Sequence, residues 1–240
     1  MATTFDQWVE ARLLAHGAYA GTVDGAPGRR TIEALERFQR AEGLLVTGMA
    51  NSATVEALRR STARSAPLQA PAVPAEPVWM REARRHMGLR EVPGPGSNPV
   101  IIGWAKRVGG WVANFYRDDD TPWCGLAVAA WIAITLPKES LPANPLGALN
   151  WRKFGVALAE PALGAILVFK RDGGGHVGEY AGEDDTHFHV LGANQNNSVS
   201  ITRISKDRLV AVRWPSTADL PTGGRVRLTA KGVPVTRNEA

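Results

Sequence analysis

One cysteine in 240 residues, Cys124, stands in the run Thr121-Pro122-Trp123-Cys124-Gly125-Leu126-Ala127-Val128. The proline is expected at the first position of a helix, where its missing N–H costs nothing. The apolar stretch Leu126 to Leu136 would bury that helix at the centre of its domain. A thiol in a first helical turn faces unpaired N–H groups and the positive end of the helix dipole. Both favour the nucleophilic thiolate. The competing expectation is a buried cysteine acting as a small hydrophobe.

A cysteine nucleophile needs a base and a group that orients the base. Of five histidines, His176 is the best placed, since Gly173 to Gly175 open the backbone before it and it starts a strand. Asn194, in Leu191-Gly192-Ala193-Asn194-Gln195, follows the next strand, where an antiparallel neighbour of His176 would carry the orienting group. Glu179 is nearer in sequence, but strand alternation puts it on the opposite face. The Cys124 N–H, assisted by Tyr116, would stabilise an oxyanion. His16 lies in the first 62 residues and His86 in the helix that opens the second unit, and neither position is exceptional. His187 and His189 bracket Phe188 and share a strand face, which reads as an exposed edge. No Cys, Asp or Glu set at ligand spacing accompanies them, so neither metal nor cofactor is expected. Asp118-Asp119-Asp120 is expected to cap the cysteine helix, because successive side chains diverge too far for a metal site.

The elements that must position these groups fall into two units. Thr4-x-x-Gln7 is a capping box ahead of Phe5, Trp8, Val9 and Leu13 at helical spacing, with Gly17 at the end. A repeat follows: Val23-Asp24-Gly25 with Thr31-Ile32-Glu33-Ala34-Leu35 recurs 23 positions later as Val46-Thr47-Gly48 with Thr54-Val55-Glu56-Ala57-Leu58. Each copy is a glycine turn feeding a short helix, and Ile32, Leu35, Phe38, Val55 and Leu58 are expected to share one small core. Residues 63–78 hold four prolines among small residues and read as a tether. Beyond it come a helix through Trp79, Ala83 and Met87, a glycine-proline loop from Glu91 to Asn98, and a helix through Trp104 to Val108. Short apolar runs at 165–170, 176–182, 188–192, 199–204 and 209–214, joined by polar turns, predict an antiparallel sheet. Helices first and strands after give an α+β domain over 79–216. The tail, 217–240, would form a hairpin at Gly223-Gly224 or stay loose.

Lys and Arg exceed Asp and Glu by 28 to 23, and the pI is near 9.7. That excess suits an acidic polymer, but it is spread along the chain, so a nucleic-acid face is not expected. A single cysteine excludes an internal disulfide framework. The start of the chain lacks the basic and apolar runs of a signal peptide, and no stretch is long and apolar enough to insert in a membrane.

Two resemblances follow. Gly21-Thr-Val23-Asp24-Gly25-Ala-Pro-Gly28-x-x-Thr31, Ala34-Leu35-x-x-Phe38-Gln39 and Gly43-Leu44 resemble the three-helix peptidoglycan-binding module of wall hydrolases, over about residues 1–62. That family implies murein binding near the turn, with Asp24 and Gly25 as candidate contacts. Leu89-x-Glu91 through Asn98, Thr121-Pro122-Trp123-Cys124, Gly175-His176-Val177-Gly178 and Leu191 through Gln195 resemble, in that order, the papain-like CHAP and NlpC-type domains of phage lysins. This implies Cys124 as nucleophile, His176 as base and Asn194 as the third member, with Trp123, Tyr116 and Gln195 as expected substrate contacts. Gly125 stands where Ala is usual, and Glu179 replaces an apolar strand residue. The expectation is a monomeric, endolysin-like peptidoglycan hydrolase, preferably an endopeptidase, made in a host cytoplasm and reaching the wall through a holin or other export. The alternatives are an amidase of the same fold, a non-catalytic wall-binding protein, and a zinc amidase using His176, His187 and His189.

Overall fold

The computed structural model describes residues 3–60, 76–228 and Val235. Most of the expected tether lies outside the described residues, as does much of the tail. Among the described residues no helix is long and apolar enough to cross a membrane.

The first unit holds α1 (Phe5–Ala15), α2 (Arg29–Ala41) and α3 (Ser52–Arg59). The capping box forms as expected: Thr4 accepts from Gln7 N–H and Gln7 reaches back to Thr4 N–H. Asn51 caps α3 through Thr54 N–H. Phe5, Trp8, Leu13, Leu35, Phe38 and Leu58 bury one core, with Val55 packed against it. Ile32 departs from expectation and lies half-buried at the edge.

The second unit is α+β, with α4 (Val78–Arg85), α5 (Pro99–Val108), α6 (Gly110–Phe115) and α7 (Cys124–Thr135) ahead of the strands. These are β1 (Val156–Ala157), β2 (Ile166–Arg171), β3 (Gly174–Glu183), β4 (His187–Gly192), β5 (Ser200–Ser205) and β6 (Leu209–Trp214). They form one antiparallel sheet in the order β1-β6-β2-β3-β4-β5. Asn98 caps α5 and Pro99 opens it, two features that suit a helix start. Helix α7 is apolar all round, and every residue from Cys124 to Ile132 is buried. It is the centre of the unit, packing on α4, α5 and β3.

Three features were not expected. Helix α6 follows the Gly109-Gly110 break. The end of the predicted tether is structured: Glu76 is buried and its carboxylate binds Arg84 at 2.9 Å. Arg84 also reaches Asp6 of the first unit at 3.5 Å and lies 4.0 Å over the Phe5 ring, so one buried cation joins the two units. Finally, among the described residues no hairpin forms at Gly223-Gly224. Residues 226–228 lie along β3 instead, where Glu183 N–H donates to Val226 and Leu228 N–H donates to Glu183.

Candidate functional site

Cys124 is the first residue of α7 and Trp123 is its cap residue, so Pro122 precedes the helix rather than opening it. The aspartates do not cap it either. Buried Asp119 accepts from Val92 and Asn98 N–H, pinning the glycine-proline loop, and Asp118 accepts from the Thr121 N–H and hydroxyl. Their carboxylates satisfy loop donors, leaving the first-turn N–H groups of α7 beside the sulfur. Gly125 has a steric reason: a Cβ there would collide with the carbonyl oxygens of Pro145 and Leu146, which pack directly on the helix start.

Cys124 is 4% exposed. Burial pushes its pKa up; the N–H groups of Val177, Gly125 and Cys124 itself and the charge of Arg171 pull the other way. The expected depression is therefore overturned, because desolvation of a thiolate outweighs a helix start. The Val177 contact matters for geometry: it holds the sulfur against the beginning of β3, one residue from His176.

His176 is fully buried. It pairs across the ladder with Phe169 of β2, and the rings lie stacked with centroids 6.5 Å apart. Leu149 fills the space over Gly175 just before it. On the far side, a Cβ on Gly192 would lie 3.1 Å from His176 Nε2 and 2.9 Å from Gln195 Oε1, so both side chains converge over that bare backbone. Asn194 sits beyond it with φ +57°, buried, and its Oδ1 has no hydrogen-bond partner among the described residues. The structure thus brings the sulfur of Cys124 to the backbone N–H of the residue after His176, and places the Gln195 side chain beside the imidazole.

The expected substrate contacts around this centre are differently employed. Trp123 is fully buried, donates to Glu91 and packs on Trp104, so it belongs to the core. Tyr116 donates its hydroxyl proton to the Thr121 carbonyl at 2.8 Å, which holds the loop before Cys124 and leaves no proton for an oxyanion. Gln195 is buried, with its amide donating to Ser200 O at 2.6 Å. His189 is not at an exposed edge: β4 is interior, and its Nε2 lies 3.0 Å from Asp184. His187 contacts Thr186 and Arg203. His16 packs on Phe38, and His86 lies against Glu82. Among the described residues no group of three or more His, Cys, Asp or Glu side chains could hold a metal ion.

In the first unit the Asp24-Gly25 turn is held by a residue that sequence reasoning missed. Glu10 of α1, fully buried, accepts from Asp24 and Gly25 N–H at 2.9 and 2.8 Å and from the Thr31 hydroxyl at 2.9 Å. Its signal was a carboxylate beside Val9 on the apolar face of α1. Residues 6–58 match the model of the family described as "putative peptidoglycan binding domain". The chain carries an N-terminal peptidoglycan-binding domain. No curated protein and no solved structure matches the chain. In the peptidoglycan-binding domain a cavity of about 380 Å³ lies beside the turn, lined by Asp24 together with Tyr19, Arg29, Arg30 and Glu33. Gly25, with φ +75°, is buried within the turn and shapes it rather than lining that cavity.

Proposed function

We propose that the chain is a modular peptidoglycan hydrolase whose second unit opens an amide of the wall peptide. The observation that carries this reading is the sulfur of Cys124, at the first residue of a buried helix, held by the Val177 N–H beside His176. His176 takes the thiol proton as sulfur bonds to the amide carbonyl carbon. The same imidazole then protonates the leaving nitrogen as the C–N bond breaks, and water releases the acyl group from sulfur. Because burial raises the thiol pKa, proton transfer accompanies attack rather than preceding it. Asn194 orients the imidazole, and the Cys124 N–H receives the developing oxyanion. The peptidoglycan-binding domain raises the local concentration of wall substrate. The proposed bond lies within the stem peptide, in the setting of a phage-type lysin.

Turbidity of purified murein tests this. Wild type clears it, and Cys124→Ala and His176→Ala lose more than about 10³-fold in rate, the scale on which removing one member of a catalytic set acts. Equal clearing by wild type and Cys124→Ala sinks the proposal. Mass spectrometry of the products separates a cut within the peptide from a cut between glycan and peptide. One observation favours a second reading: thiol and imidazole are both closed to solvent, as in a wall-binding protein that retains only the fold. That reading expects binding without clearing.

A further inference from the structure

Helix α6 carries two aromatic side chains that nothing in the described structure covers. Trp111 and Phe115 are 45% and 62% exposed, while Val112 between them is buried and anchors the helix. Spaced four apart, they share one helix face. Their rings meet edge to face with centroids 5.7 Å apart, which leaves a broad ring face open. The indole N–H donates to the Ala143 carbonyl at 3.1 Å, so its plane is fixed rather than free to turn.

What lies next to this pair gives it chemistry. Ala143 also lines a cavity of about 550 Å³ whose rim carries Asn144, Asn150, Arg152 and Lys153, with one carboxylate, Glu139, already held by Ser216 and Thr217. The same segment reaches the reactive centre. Pro145 and Leu146 pack their carbonyls on Gly125, and Leu149 packs on Gly175, so one stretch touches the neighbours of both Cys124 and His176. Aromatic faces stack on the C–H faces of pyranose rings, amide side chains bind sugar hydroxyls and acetamides, and a cationic rim receives carboxylates. A polymer offering all three, sugar and acidic peptide together, is the one the N-terminal domain binds.

We propose that Trp111 and Phe115 form a sugar-stacking subsite of the second unit, which holds the glycan while its attached peptide enters the Cys124 centre. This rests on the hydrolase reading and narrows its substrate to glycan-linked peptide. The contact is separate from the peptidoglycan-binding domain and adds to it by multivalency.

The test compares full-length wild type, Trp111→Ala and Phe115→Ala on two soluble substrates, a disaccharide-linked stem peptide and the same peptide without sugar. KM for the sugar-linked substrate should rise at least about tenfold in each variant, equivalent to about 1.4 kcal/mol, as expected on truncating an aromatic anchor. Cleavage of the bare peptide should not change. Trp111→Phe, which keeps a ring but loses the bond to Ala143, should recover most of the affinity. Equal losses on both substrates would reassign the pair to a structural role, and no loss on either would remove the subsite. Calorimetric binding of the sugar-linked peptide to Cys124→Ala, with and without Trp111→Ala, gives a readout independent of turnover. A tenfold difference there with no cleavage by wild type keeps the subsite and discards the hydrolase. Cleavage by wild type with unchanged binding does the reverse.

Discussion

The two halves of the N-terminal repeat hold the same turn with different chemistry. In the first, Glu10 accepts from the N–H groups of Asp24 and Gly25 and from the Thr31 hydroxyl. In the second, Gln39 of α2 accepts from Thr47 and Gly48 N–H at 2.8 and 2.9 Å, and its amide donates to the Thr54 hydroxyl at 2.9 Å. Both anchors are fully buried, and both tie a glycine turn to the threonine of the helix that follows. The carboxamide is neutral and donates as well as accepts. The carboxylate must be desolvated, and burial raises its pKa to about 7 despite three donors. A repeat therefore conserves a hydrogen-bonding task while one copy acquires a titration that the other lacks.

The strongest way to break this comparison is to remove the anchors. Glu10→Leu and Gln39→Leu each strand one buried and one part-buried N–H group, and each should cost about 2–5 kcal/mol in denaturant unfolding. A cost near zero at Gln39 alone would show that the two turns are not held alike. The next effect is pH. The folded pKa of Glu10, about 7, lies above its ordinary value of 4.5, so between these values the folded chain keeps a proton that the unfolded chain has released. Its contribution is complete below about pH 4.5 and is lost as pH rises through about 7, a change of about 3 kcal/mol at 1.36 kcal/mol per pH unit. Glu10→Gln should flatten that dependence by copying the second turn, and Gln39→Glu should add a new one. Amide exchange at Gly25 and Gly48 reads each turn separately.

A smaller effect sharpens the contrast from the other unit. Glu179 is also a buried glutamate, but neither oxygen has a hydrogen-bond partner among the described residues. Burial, with the charge of Glu76 adding to it and Arg84 opposing, holds its pKa well above the carboxylate range. Glu179→Leu should therefore raise stability at pH 7 by about 1–3 kcal/mol, where Glu10→Leu lowers it. A loss at position 179 would mean that Glu179 serves the ion cluster of Arg84, Glu76 and Asp6 rather than burdening the sheet.

Several parts were legible because local physics suffices for them. Thr4 and Gln7 satisfy each other's backbone within one turn of chain, so the capping box is visible as a spacing. Five strands and their antiparallel pairing follow from short alternating or apolar runs with tight turns between. The 23-residue displacement survives in sequence because each turn and helix is a local unit. The anchors are not at that displacement: Glu10 lies 14 residues before its turn and Gln39 lies 8 before its own. Nothing in the repeat marks them, since the bonds are made across helices. Helix α6 was missed because Gly109 and Gly110 read as a break, yet Val112 finds a buried site that outweighs their poor propensity. His189 was misplaced because a strand's edge or interior position depends on sheet order, which a strand's own residues do not carry.

By itself the sequence determined the order of elements, the repeat, and the short list of groups able to do chemistry, since these rest on residue type and near-neighbour spacing. Tertiary structure alone decided which of them meet and in what dielectric. It set the sulfur of Cys124 against β3 beside His176, took Trp123 into the core, spent the Tyr116 proton on a loop carbonyl, and left Trp111 and Phe115 in solvent. It also reversed the expected direction for the thiol. Desolvation depends on everything packed around an atom, and that sum forms only when distant segments close on it.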